Sequence, residues 1–198
     1  FGALVARHRH VDLLAPTATP ALDERWDLVL RAPQPGARFW ILDLTSTVAT
    51  AGPREVVLET HLYGGLGLRG HAAWNGKDQV RFLTAEGKGR PEAHATRPRW
   101  TSMFGAVEGR PAGVAVIGHP DNVRDPQPVR VHPEEPFLAL APVQQGPLVI
   151  DTRTPLVSRY RVVVHDGEPD PKLLEALTAD FQQPLRATVR VLSTRPTR

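Results

Sequence analysis

The chain's 198 residues suffice for one sizeable hydrophobic core and are few for two ordinary domains. Its 24 Lys and Arg are scattered among 21 Asp and Glu except at the end, where Arg186, Arg190, Arg195 and Arg198 cluster and 193–198 reads as a frayed tail, so the net charge of +3 does not make nucleic acid an expected partner. The absence of cysteine excludes disulfides and thiolate metal sites, and Arg, His or Pro interrupts every apolar run before bilayer length, so no membrane span is expected. Taken in order, the chain first offers Arg7-His8-Arg9-His10, whose H-x-H spacing turns two imidazoles to one side of a strand. A metal site would need a third histidine and a carboxylate from elsewhere, with His61 and His119 available only by accident of folding. One such pair among eight histidines is unsurprising, so neither metal nor cofactor is expected.

The 20 prolines and 16 glycines, spread at intervals, predict many short strands joined by tight turns. Strands are expected at 26–31, 39–50, 55–63, 66–73, 113–117, 137–140, 148–150, 158–164 and 185–192. A further one is expected where Arg99 meets Trp100, and 76–96 reads as a long connection with room for one short strand. The alternation is clear after Arg38, where Trp40, Leu42, Leu44, Ser46 and Val48 oppose Phe39, Ile41, Asp43, Thr45 and Thr47. One helix is predicted near the C-terminus: Asp170 caps it, Pro171 fits its first turn, and Leu173, Leu174, Leu177 and Phe181 share a side. The fold class is all-β, an antiparallel β-sandwich with one short C-terminal helix. A single domain spans 1–192, with a tail at 193–198.

Two stretches hold the chemistry. In Glu59-Thr-His-Leu-Tyr-Gly-Gly-Leu-Gly-Leu-Arg-Gly-His71, a strand would turn Glu59, His61 and Tyr63 to one face, and Gly64-Gly65 is where the chain is expected to bend and return Arg69 toward that face. In Gly113-Val-Ala-Val-Ile-Gly-His-Pro-Asp-Asn-Val-Arg124, a strand buried on both faces delivers His119, Asp121, Asn122 and Arg124 into one loop, a set able to hold hydroxyls or a carboxylate. A polar surface strand and an ordinary turn are the plain alternatives. Trp100, beside Arg99, either stacks on a sugar ring or fills the core. No serine stands in a nucleophile elbow, and there is no phosphate loop or dinucleotide fingerprint. Phe1 opens the chain and Met103 is its single methionine, so the chain is expected to be processed or part of something longer, and no compartment is inferred.

The segments Tyr63–Arg69, Arg99-Trp100, Gly113–Arg124 and Arg159-Tyr-Arg-Val-Val-Val-His-Asp-Gly167 occur in the order seen in a bacterial family labelled "methane oxygenase PmoA", which the chain resembles over 26–181. The label suits an integral membrane complex, and this chain has no span to match it. What the resemblance implies is a β-sandwich, of the galactose-mutarotase-like supersandwich kind, in bacteria that degrade complex carbohydrate. Members begin with a histidine-rich segment, of which Arg7-His8-Arg9-His10 is at most a remnant. The expected partner is a small carbohydrate or related polyol. If the protein is catalytic, His61 and His119 are the imidazoles, with Asp121 and then Glu59 as base. Tyr63, Arg69, Arg99, Trp100, Asn122 and Arg124 are the expected substrate-binding residues. A non-catalytic carbohydrate-binding module and a metal-dependent jelly roll are the alternatives.

Overall fold

Alternating apolar and polar residues build long strands early in the chain: β1 (Gly2–Asp12), β2 (Thr19–Arg31) and β3 (Phe39–Thr50). The computed structural model describes residues 1–33 and 35–183. Within them follow β4 (Val56–Leu58), β5 (Leu66–Arg69), β6 (Val80–Thr84), a short helix α1 (Arg90–Ala93), β7 (Trp100–Val107), β8 (Arg110–Gly118), β9 (Val129–Val131), β10 (Phe137–Leu140), β11 (Leu148–Ile150), β12 (Leu156–Asp166) and the helix α2 (Pro171–Gln182). The expected strand at 185–192 and the tail at 193–198 lie outside the described residues.

Every strand pairing is antiparallel. A seven-stranded sheet runs β1-β2-β3-β12-β8-β7-β6, a three-stranded sheet runs β5-β10-β9, and β4 pairs with β11 as a separate ribbon. The two larger sheets form the expected sandwich. Leu44, Met103, Val116 and Tyr160 of the first pack with Val129, Val131, Leu138 and Leu140 of the second. The outer face of the large sheet carries Trp100, Ala115, Ile117 and Val163, which pack with Leu174, Leu177 and Phe181 of α2. β8 therefore alternates Val114 and Val116 to one core with Ala115 and Ile117 to the other, which is why its sequence reads as a continuous apolar run.

The helix forms as its sequence directs. The Asp170 carboxylate accepts from the backbone N–H of Lys172 at 2.9 Å, and Pro171 occupies the first turn. Polar contacts also tie it to the sheet. Trp100 Nε1 donates to Glu175 at 2.8 Å, and Arg161 Nη1 donates to Asp180 at 2.6 Å while its guanidinium lies 4.8 Å from the Phe181 ring. The Asp166-Gly167 turn after β12 leads into this helix rather than into a hairpin partner.

Two expected strands are corrected: the 66–73 strand ends at Arg69, after which His71 caps a short 3-10 turn at Ala72–Trp74, and the 55–63 strand is shorter still. The 55–63 strand ends at Leu58, and residues 59–65 form an irregular turn before β5. The cause is local: His61 Nδ1 accepts the Tyr63 N–H at 3.1 Å, diverting a backbone donor from strand pairing. Gly64 and Gly65 then take φ of 113° and 135°. A Cβ at Gly65 would stand 2.1 Å from the Leu140 carbonyl oxygen, so only glycine lets the turn lie against β10. The chain bends at these glycines as expected, but the strand has already ended at Leu58, and Arg69 is not returned to line a face with His61 and Tyr63.

Candidate functional site

Residues opposite each other across antiparallel strands share a face, and the pairing of β1, β2, β3 and β12 lays out rows on the side facing the sandwich core. One row is His8, Glu24, Val48 and Leu156, and the next is Ala6, Trp26, Ser46 and Ser158. His10 stands opposite Leu22 on the same face. The 59–67 segment, the Pro142-Val143 turn and β11 rise beside these rows. Between floor and walls is a cleft of about 770 Å³, within the range of small-molecule sites. Its polar lining is Glu24, Ser46, Ser158 and His10 from the floor, and Glu59, Thr60 and His61 from the turn, with Trp26, Tyr63 and Tyr160 as aromatics.

Glu24 is the most constrained group. One carboxylate oxygen accepts from Ser46 Oγ at 2.6 Å and from Trp26 Nε1 at 2.5 Å, and the other receives His10 Nε2 at 3.0 Å. His8 Nδ1 is 4.0 Å from that second oxygen, and its ring meets Trp26 edge-on at 4.9 Å. Burial pushes the Glu24 carboxyl upward, but the donors Ser46, Trp26 and His10 together outweigh it and hold the group below the ordinary carboxylate value. The result is an oriented anion. On the facing wall, the His61 ring lies 5.6 Å from Tyr63, and Arg130 stacks 5.3 Å from the centre of the Tyr63 ring.

The remaining sequence-predicted residues do other work. Arg69 pairs with Glu135 at 3.4 Å and reaches the Phe137 ring, which also touches Tyr63, but it does not line the cleft. Trp100 is 1% exposed beneath α2, too enclosed to stack on a sugar, and Arg99 joins it on Glu175. His119 meets Phe181 edge-on at 5.1 Å, and Asp121 accepts from Arg159 at 2.9 Å. The Asn122 side chain bonds both the carbonyl and the N–H of Arg159, at 2.8 and 2.7 Å, acting as an extra rung of sheet. Arg124, at φ 60°, donates to the carbonyls of Pro142, Gly146 and Pro147. It braces the cleft wall from behind. The structure thus brings Glu59, His61 and Tyr63 together on the cleft wall, and places Arg69, Arg99, Trp100, His119, Asp121, Asn122 and Arg124 outside its lining.

Glu24, Trp26, Ser46 and His10 were not among the expected site residues. The signal was the H-x-H of β1 facing the E-x-W of β2, which becomes visible only when β2 is begun at Thr19 rather than Trp26. Among the described residues, no group of three or more His, Cys, Asp or Glu is arranged to hold a metal ion, and no helix is long and apolar enough to cross a membrane. A smaller cavity of about 190 Å³, beside Arg38, His165 and Asp170, contains none of the predicted site residues.

The fold and cleft define an all-β sandwich with a helix-covered face and a ligand-sized hollow. The chain belongs to a family of unknown function, DUF6807, whose model matches residues 1–179. No curated protein and no solved structure matches it. The family match carries no methane-oxygenase label.

Proposed function

We propose that the protein binds a carbohydrate or related polyol in the cleft between β1–β3 and the 59–67 turn. The observation that carries this reading is the floor row itself. An ionised Glu24 held by Ser46 and Trp26 offers a fixed acceptor for hydroxyls beside aromatic surface for the C–H faces of a sugar ring.

A catalytic reading of the same site is favoured by the imidazole polarities. His61 Nδ1 accepts a backbone N–H, which leaves its proton on Nε2 as a donor. His10 in its neutral form donates Nε2–H to Glu24, which leaves a lone pair on Nδ1 as an acceptor. His10 Nδ1 on the floor can take a hydroxyl proton from a bound polyol as general base, while the neutral His61 on the wall donates a hydrogen bond to the same ligand without releasing its proton. Saturation-transfer NMR with a panel of mono- and oligosaccharides tests binding, and anomer exchange followed in the same samples tests turnover. Binding should be lost in Trp26→Ala and weakened in Ser46→Ala, and retained in His119→Ala. Loss in His119→Ala with retention in both floor variants would move the site to the other side of the sheet and overturn the proposal.

A further inference from the structure

The charge distribution around this cleft assigns its ligand class, an inference that rests on the carbohydrate reading above. Glu24 and Glu59 both line the cleft, and no Lys or Arg among the described residues does. Two arginines stand close to the walls without lining the cleft; they keep their charge, but the N–H groups they use are directed at neutral protein acceptors. Arg130 donates to the Val131 carbonyl at 3.0 Å and to the Tyr63 hydroxyl at 3.4 Å, and Arg124 holds three backbone carbonyls of the wall. The other titratable groups facing the cleft are His10 and His61, with His8 next to Glu24.

The floor carboxylate also has room for one more donor. Ser46 and Trp26 fill one oxygen, while the second takes only His10 within hydrogen-bond distance among the described residues, and a carboxylate oxygen accepts two. A ligand amine can supply that donor with a positive charge attached. A ligand carboxylate or phosphate would meet two like charges with no cation in the lining. Like charges several ångströms apart in a partly screened cleft weaken binding by roughly tenfold or more.

We propose that the cleft selects polyhydroxylated ligands bearing an amine, of the hexosamine type, ahead of neutral sugars, and rejects sugar acids and phosphosugars. The experiment is a titration, at about pH 7 and low salt, of matched hexosamine, hexose and hexuronate sets in the gluco, galacto and manno configurations. The hexosamine should bind tightest and the hexuronate roughly tenfold or more weaker than its hexose. That penalty should shrink in Glu59→Gln and in high salt. Hexuronate binding equal to or tighter than hexose overturns the charge preference while leaving the carbohydrate reading intact. A penalty unchanged in both Glu59→Gln and high salt removes its electrostatic origin. Binding by no member of any set overturns the site reading as well.

Discussion

Replacing Glu24 tests the organisation of the cleft floor without a ligand. Glu24→Gln keeps an oxygen for Ser46 and Trp26, whose donors lie at 2.6 and 2.5 Å, but turns an amide nitrogen toward His10 Nε2 at 3.0 Å, a contact that survives only if the imidazole moves its proton to Nδ1. The charge assistance is lost from all three contacts, and the one to His10 is weakened further by the tautomer change. Hydrogen bonds to charged groups contribute about 1.5–3 kcal/mol each, and neutral ones about 1. The Glu24 side chain is 15% exposed, and water entering the cleft offsets part of the loss, so about 1–2 kcal/mol is expected for Glu24→Gln and about 2–3 for Glu24→Ala. Urea denaturation at neutral pH measures both. Acid supplies the second arm. Because the folded Glu24 carboxyl lies below its ordinary value, its stabilisation is full above that value and lost as pH falls through the folded one. The gap between wild type and Glu24→Gln should therefore close on the acid side of the ordinary carboxylate range. Equal stability of wild type and Glu24→Gln at neutral pH, with no pH-dependent gap, would refute the held anion.

Two further predictions concern the helix-covered face. Arg161, whose side chain is 2% exposed, grips Asp43 through Nε at 2.7 Å and Nη2 at 3.1 Å and also holds Asp180. Removing one partner of such a buried pair costs about 3–5 kcal/mol. Arg31 still pairs with Asp43 at 2.6 Å, so Arg161→Ala should lose about 3 kcal/mol and Arg161→Lys less in urea denaturation, and a loss under about 1 kcal/mol would sink the account. Second, burial holds the His165 imidazole below its ordinary value, with the Gly167 carbonyl only partly opposing it. The unfolded chain then takes the proton first, so stability is full above about pH 6.5 and falls as pH drops below it. His165→Gln should flatten this slope between about pH 7.5 and 5, and parallel stability profiles for the two proteins would contradict it.

Where local chemistry decides structure, the sequence was legible. The cap Asp170, the proline after it and the leucine spacing define α2 without reference to the rest of the chain. β3, β10 and β11 coincide with their expected bounds because alternation or a short apolar run is flanked by turn residues. β1 was hidden for the opposite reason. As an edge strand, it leaves Leu4 61% and Val5 49% exposed while Arg7 and Arg9 stand among them, so no apolar face marks it. Its pairing with β2 is a tertiary fact.

The site divides along the same line. His61, Tyr63 and the glycine break were legible because they are adjacent in sequence and the glycines set the backbone. His119, Asp121, Asn122 and Arg124 form an equally polar cluster, yet each finds a protein partner: Phe181, Arg159, the Arg159 backbone and the carbonyls behind the cleft wall. Residue type cannot distinguish a group awaiting a ligand from one satisfied by a strand far away in sequence. Register can. Pairing β2 with β3 sets Trp26 opposite Ser46, and the Glu24 carboxylate receives hydrogen bonds from both side chains; pairing with β1 brings in His8 and His10. A one-residue slip of β1 would turn both histidines to the opposite face and put Arg7 and Arg9 in their place. The chemistry of the cleft floor is therefore fixed by strand alignment across three separate segments, with the identity of the residues deciding only what that alignment can do.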